Sequence, residues 1–121
     1  MRSSSWPGDD AGAEQVERRL GHGEVWWADL AGEKVRPVVV LTRRRIASRL
    51  TRVVVAPVTT TVRGIPTEVP LGAGEGVRDG SVANLDNLHL VDVDRLLRRA
   101  GRVPDTRWPE FCRAAATMMA C

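Results

Sequence analysis

Apolar residues along this chain come in short bursts separated by turn-forming residues, a pattern of strands rather than of long helices. Glu24 to Leu30 alternates imperfectly and carries the adjacent Trp26 and Trp27, one for each face of a sheet. After a tight connection through Ala31, Gly32, Glu33 and Lys34, Val35 to Thr42 predicts a second strand. Its Val38, Val39, Val40 and Leu41 run unbroken, so both of its faces should be covered. Pro37, near its start, belongs where the ladder needs no donor. Arg43 to Leu50 is highly charged, but the spacing of Ile46 and Leu50 predicts one or two helical turns within a loop. Arg52 to Thr60 is the third strand, with Pro57 marking an edge or a bulge. A loop through Arg63 and Gly64 leads to a shorter strand near Thr67 to Leu71, and Gly72, Gly74, Gly76 and Gly80 make the next stretch rich in turns. Ser81 to Leu85 and Asn87 to Val91 read as two short strands around Asp86-Asn87, and Val93 to Arg99 as a helical turn with Leu96 and Leu97 inward. Pro104 opens the last element, a helix over Arg107 to Met119 with Phe111, Ala114, Ala115 and Met118 on one stripe.

Five to seven short strands and a terminal helix predict a mainly β protein, a small and strongly bent antiparallel sheet or barrel with short helices and a C-terminal helix. At 121 residues there is room for one domain with one modest core. Residues 1–21 read as an N-terminal extension, flexible or partly helical. Ser3, Ser4, Ser5, Pro7, Gly8, Asp9 and Asp10 resist regular structure, while Ala11 to Leu20 suits a short helix stopped by Gly21 and Gly23. Residues 22–121 are then the folded domain.

Composition removes several classes of function. The longest uncharged run, Val53 to Val62, is too short to cross a bilayer, so no membrane association is expected. Asp9, Asp10, Glu14 and Glu17 sit where a secretory signal would be basic or apolar, which points to the cytoplasm. Cys112 and Cys121 form neither a disulfide framework nor a zinc pattern, and Cys112 reads as a small packing residue. Charge changes the picture more. Between Lys34 and Thr67 there is no acidic residue, yet Lys34, Arg36, Arg43, Arg44, Arg45, Arg49, Arg52 and Arg63 all fall there. If folding gathered these cations on one face, the field would draw in a polyanion.

Conventional hydrolytic residues are scarce. His22 and His89 have no partner nearby in sequence, and Asp86, Asp92 and Asp94 are too sparse for a metal-dependent nuclease site, so neither a metal nor a cofactor is expected. Gly72, Gly74 and Gly76 lack the Lys and Ser/Thr of a phosphate loop. Arginine and hydroxyls remain. RNA supplies its own nucleophile, the 2′-hydroxyl, so a protein that cleaves it needs only to align that group and neutralise the charge building on the phosphorane.

The segments Gly23-Glu24-Val25-Trp26-Trp27-Ala28-Asp29-Leu30 and Arg36-Pro37-Val38-Val39-Val40-Leu41 resemble the opening of a MazF/PemK-type toxin, an endoribonuclease of toxin–antitoxin systems. The likeness continues through Val54-Val55-Ala56-Pro57-Val58-Thr59-Thr60-Thr61, Arg63-Gly64-Ile65-Pro66-Thr67-Glu68-Val69 and Asp79-Gly80-Ser81-Val82-Ala83-Asn84-Leu85-Asp86-Asn87, and it covers about residues 22–119. The resemblance implies a small SH3-like antiparallel barrel acting as a homodimer. It implies sequence-specific, metal-independent cutting of single-stranded RNA to 2′,3′-cyclic phosphate and 5′-hydroxyl ends. It also implies neutralisation by a cognate antitoxin whose acidic, disordered tail covers the RNA groove.

The catalytic arginine of the family falls on Arg36 and its catalytic Thr/Ser on Thr59. The bland alternative for Arg36 is a salt bridge with Glu24 or Asp29. Arg43, Arg44, Arg45 and Arg63 are expected to hold RNA backbone, with Thr60 and Thr61 beside them. Trp27 or Trp26 would stack on a base, one of the pair belonging to the core. Asn84, Asp86 and Asn87 would meet base edges or stabilise a turn, and Glu33 is the one acidic residue left in a closing loop shorter than is usual in the family. Two other readings compete: a nucleic-acid-binding module without cleavage, and a gyrase-directed toxin of related fold. Cutting of single-stranded RNA in chelator, with DNA and 2′-O-methyl RNA left intact, separates the ribonuclease from both.

Overall fold

The computed structural model describes residues 20–30, 34–47 and 49–119. Most of the proposed N-terminal extension, together with Glu33 and Cys121, lies outside the described residues. Seven strands form one sheet: β1 (Glu24–Asp29), β2 (Val35–Val40), β3 (Arg52–Thr59), β4 (Glu68–Leu71), β5 (Ser81–Asn84), β6 (His89–Asp92) and β7 (Leu96–Arg102). A single helical turn, α1 (Arg44–Ala47), follows β2, and the helix α2 (Trp108–Met118) closes the described chain.

Every pairing is antiparallel, and the strand order is β4-β5-β3-β2-β1-β7, with β6 also on β3. The sheet is therefore open, and the expected closed SH3-like barrel is corrected. Closure would require β4 to pair with β7. Instead, the chain leaving β4 turns sharply through Ala73–Glu75, and this 3-10 turn lies against β7 at Ala100 and Gly101. Arg107, just before α2, donates from Nη2 to the β4 carbonyl of Pro70 at 2.7 Å and pairs with Glu75 at 3.3 Å. Turn and side-chain contacts thus occupy the place of a ladder.

Alternation along the central strands explains the unbroken valines. Val38 and Val40 join Trp26, Ala28, Val53, Val55 and Leu96 in one apolar cluster. Val39 joins Val25, Ala56, Val58, Leu85, Phe111 and Ala114 in another. Both faces of β2 are covered as expected, and each fully buried valine is worth about 1.5–2 kcal/mol of transfer energy. Trp26 is buried and Trp27 only half-buried, one on each face. Pro57 falls where the outer neighbour of β3 passes from β6, ending opposite Val55, to β5, beginning opposite Val58. A proline costs least at such a break.

Three local expectations are corrected. Val93–Arg95 is a 3-10 turn, but Leu96 onward is strand β7 rather than helix, with Leu96 buried and Leu97 exposed. Two register shifts against β1 break the apolar period that would have marked it as a strand. Cys112 is exposed, not packed. On α2, Phe111 and Ala114 are buried, whereas Met118 at the end of the stripe is exposed.

Candidate functional site

The ladder between β2 and β3 ends at Val38–Pro57. Continuing its register two residues outward sets Arg36 opposite Thr59, with Pro37 opposite Val58. Pro37 has no N–H to extend the ladder, and beyond it the strands border a cleft of about 270 Å³. Arg36, Thr59, Thr60 and Trp27 line this cleft, joined by Lys34, Arg78 and Ser81. The two residues expected to carry the chemistry therefore share one concave site with the expected stacking tryptophan.

Thr59 Oγ1 accepts a hydrogen bond from the Thr61 amide at 3.1 Å, which leaves the hydroxyl proton for another acceptor. The Arg36 side chain is partly buried and its Nε is shut off from solvent. Close by in the sequence, buried Glu24 accepts from Trp26 Nε1 at 3.0 Å and pairs with Arg44 at 3.1 Å, and Asp29 pairs with Arg95 at 3.2 Å. Trp27 carries the Arg98 guanidinium over its ring, 5.3 Å from the centroid.

Sequence reasoning missed Lys34, Arg78, Ser81 and Arg98. Arg78 arrives because β5 pairs antiparallel with β3, setting Val82 against Thr59, so the residues just before β5 must reach the Thr59 end. Ser81 is buried and closes this corner, donating from Oγ to the Arg78 carbonyl at 2.6 Å.

Arg43, Arg44, Arg45, Arg63, Asn84, Asp86 and Asn87 are not among the residues that line this cleft. Arg43, Arg44 and Arg45 follow the opposite end of β2 from Arg36. The basic block is thus divided between the two ends of the sheet rather than gathered on one face.

Arg63 is engaged in a compact network. Its Nη1 and Nη2 grip Asp86 at 3.0 and 2.9 Å, Nη2 also reaches Asn84 Oδ1 at 3.3 Å, and Nε donates to Glu68 at 3.1 Å. Asn87 donates its amide to the Asn84 carbonyl at 3.4 Å, within the turn after β5. Asp92 pairs with Arg52 at 3.2 Å. Among the described residues no three His, Cys, Asp or Glu side chains are grouped to hold a metal ion. None of the helices among them is long and apolar enough to cross a membrane.

The network around Arg63 should be sensitive to acid. The Asp86 carboxyl is held below its usual range by the Arg63 hydrogen bonds, against the opposing effect of burial. For Glu68 burial pushes upward, but the amides of Arg63, Gly64 and Ile65 and the Arg63 side chain outweigh it and hold the carboxyl low. Both carboxylates therefore contribute stability above the ordinary carboxylate range and lose it as pH falls through their lowered values. The amide proton resonances of Arg63 and Gly64, which donate to Glu68, are expected to titrate with a midpoint below that of an ordinary glutamate. A midpoint at or above that value would contradict the arrangement.

A second cavity, of about 580 Å³, is lined by His22, Asp105, Trp108, Pro109, Cys112 and Arg113. His22 lies against Trp108, which stacks on Phe111 with centroids 4.8 Å apart. It contains neither Arg36 nor Thr59.

The chain is 43% identical over 100 residues, 82% of its length and 92% of the relative's, to the probable endoribonuclease MazF5 of Mycobacterium tuberculosis. Among solved structures, the Mycobacterium tuberculosis toxin MazF-mt6 superposes with a TM-score of 0.74 at 39% identity, over 78% of this chain and 94% of that one. An endoribonuclease from a mycobacterial species, solved in complex with its cognate antitoxin, gives a TM-score of 0.73 at 26% identity, over 82% and 93% of the two chains. The profile of PemK-like, MazF-like toxins of type II toxin–antitoxin systems matches residues 21–119, and the chain belongs to that family.

Proposed function

We propose that this protein is a metal-independent endoribonuclease that cuts single-stranded RNA at a specific sequence and acts as a growth-inhibiting toxin. The observation that carries the reading is the meeting of Arg36 and Thr59 in one cleft, with Trp27 at its wall. The endoribonuclease activity named for its relatives supports it.

A phosphodiester placed there has its non-bridging oxygens toward the Arg36 guanidinium, whose planar fork matches them and which stays charged at any physiological pH. Thr59 accepts from the Thr61 amide and so presents its own proton to a phosphate oxygen. Lys34 and Arg78 add positive charge along the backbone path, and Trp27, backed by Arg98, offers a flat face to a base. The 2′-oxygen bonds to phosphorus as the bond from phosphorus to O5′ breaks. The 2′-hydroxyl proton is lost to water and the departing 5′-oxygen gains one from water, since a guanidinium is already fully protonated and cannot take the first, and is too weak an acid near neutral pH to supply the second. The products are a 2′,3′-cyclic phosphate and a 5′-hydroxyl.

Residues 22–121 are the toxin domain, residues 1–21 its extension, and the working form is a homodimer in the cytoplasm. A cognate antitoxin neutralises it, as the solved complex of a relative supports. An acidic, disordered tail on that partner would present the same sign of charge as RNA to Lys34, Arg36 and Arg78 and compete for the cleft.

Mapping both ends of the fragments cut from a long RNA in the presence of chelator tests the mechanism. Cyclic phosphate and 5′-hydroxyl ends are expected, with no cutting of 2′-O-methyl RNA. Fragments with 5′-phosphate and 3′-hydroxyl ends would overturn it.

A further inference from the structure

The fork of Arg63 was expected to grip RNA, but four of its five N–H donors are spent within the protein, on Glu68, Asn84 and both oxygens of Asp86. Glu68 and Asp86 together outweigh the single positive charge, so this corner carries a net charge of about −1 and repels phosphate. The same Glu68 carboxylate accepts the amides of Arg63 and Gly64, at 2.9 Å each for the shorter contacts. The segment leaving β3 is thus tied at its far end to β4 through Glu68 and to the end of β5 through Asn84 and Asp86. At its near end, the Thr61 amide is bonded to Thr59 Oγ1.

Resting on the reading of the cleft as the cleavage site, we propose that Arg63 is a positioning residue. It clamps residues 60–66 so that the Thr61 amide fixes the Thr59 hydroxyl as a donor toward the scissile phosphate. Arg63 acts through that segment and makes no contact with RNA.

The test compares the full chain with Arg63→Ala, Arg63→Lys and Glu68→Gln. Three quantities are read: kcat on a short cleavable RNA, affinity for its 2′-O-methyl analogue across a range of salt, and hydrogen exchange at the Thr61 amide. Lysine keeps the charge but not the fork. A clamp therefore predicts that Arg63→Lys and Arg63→Ala both lose at least about tenfold in kcat. Affinity should stay within about threefold, with an unchanged salt slope. Thr61 exchange should quicken in both variants. Glu68→Gln, which leaves Arg63 in place and removes an acidic group, should lower kcat in the same way and remains informative if the Arg63 variants fold poorly.

A direct phosphate contact predicts the reverse. Arg63→Ala would then weaken binding and lower the salt slope by about 0.7, Arg63→Lys would restore most of it, and Glu68→Gln would tighten binding with kcat kept. That result overturns the proposal, as does unchanged Thr61 exchange in all three variants. Were the native chain to cut no RNA at all, the proposed function would fall, while the exchange measurement would still decide whether the clamp exists.

Discussion

Arg36→Ala is expected to lower kcat for RNA cleavage by about 10³-fold or more, while leaving the fold intact and most of the RNA affinity in place. Removing a preorganised donor that meets charge developing in a transition state costs about 10²–10³-fold, and a guanidinium aimed at a reacting phosphoryl group reaches the upper end and beyond. Ground-state binding is shared with Lys34 and Arg78 in the same cleft, so losing one of three cations weakens it far less. The fold should survive because Arg36 lies outside both apolar clusters, near the end of β2 where the ladder to β3 has already stopped. Single-turnover cleavage beside binding of the 2′-O-methyl analogue reads the two effects separately. Equal cutting by both proteins would remove Arg36 from the mechanism. A parallel fall in binding and cleavage would make it an anchor rather than a stabiliser of the transition state.

The second large effect concerns folding. Gly76 has a φ of +89°, and a Cβ there would collide with the carbonyl of Ala100 in β7. Gly76→Ala should therefore combine left-handed backbone strain with a clash against backbone that cannot swing aside. The expected loss is about 3 kcal/mol or more, a large part of the stability of a domain this size, and a fall in Tm of more than about 10 °C. Gly80→Ala is the control. Its φ is +85°, but a Cβ there would meet nothing within 4 Å, so it should cost only the strain, about 1 kcal/mol. Thermal melts of the two variants check this, and equal destabilisation would show that the turn does not depend on its contact with β7.

These two positions also show what a sequence can and cannot disclose. Arg36 and Thr59 could be placed at one end of a sheet because they sit at the start of one apolar strand and the end of the next, and adjacent strands in such chains commonly pair antiparallel. Family resemblance, not spacing, singled them out among many arginines and threonines. Arg78 was hidden because the pairing that delivers it, β3 with β5, skips over β4 and a long loop. No local pattern records such a contact.

Open topology was equally hidden. Six of the seven strands were legible as apolar bursts, but whether the two ends of the sheet meet depends on the Gly76 turn standing against Ala100, a contact between residues far apart in the chain. Strand β7 itself was masked by its two register shifts and by the Arg98-Arg99 pair. Arg63 shows a different limit, since its basic surroundings in the sequence pointed to RNA while its nearest neighbours in space are two carboxylates.

An unclosed sheet leaves a terminal strand with backbone groups that another copy could adopt, the usual route to fibrils. Here β7 ends the strand order, and the exposed Arg98 and Arg99 lie along it. Two molecules approaching edge to edge would bring like charges together, and that repulsion opposes such pairing. Concentrated salt, which shortens the reach of charge to about 3 Å at 1 M, would strip that protection away before it disturbed the apolar interior.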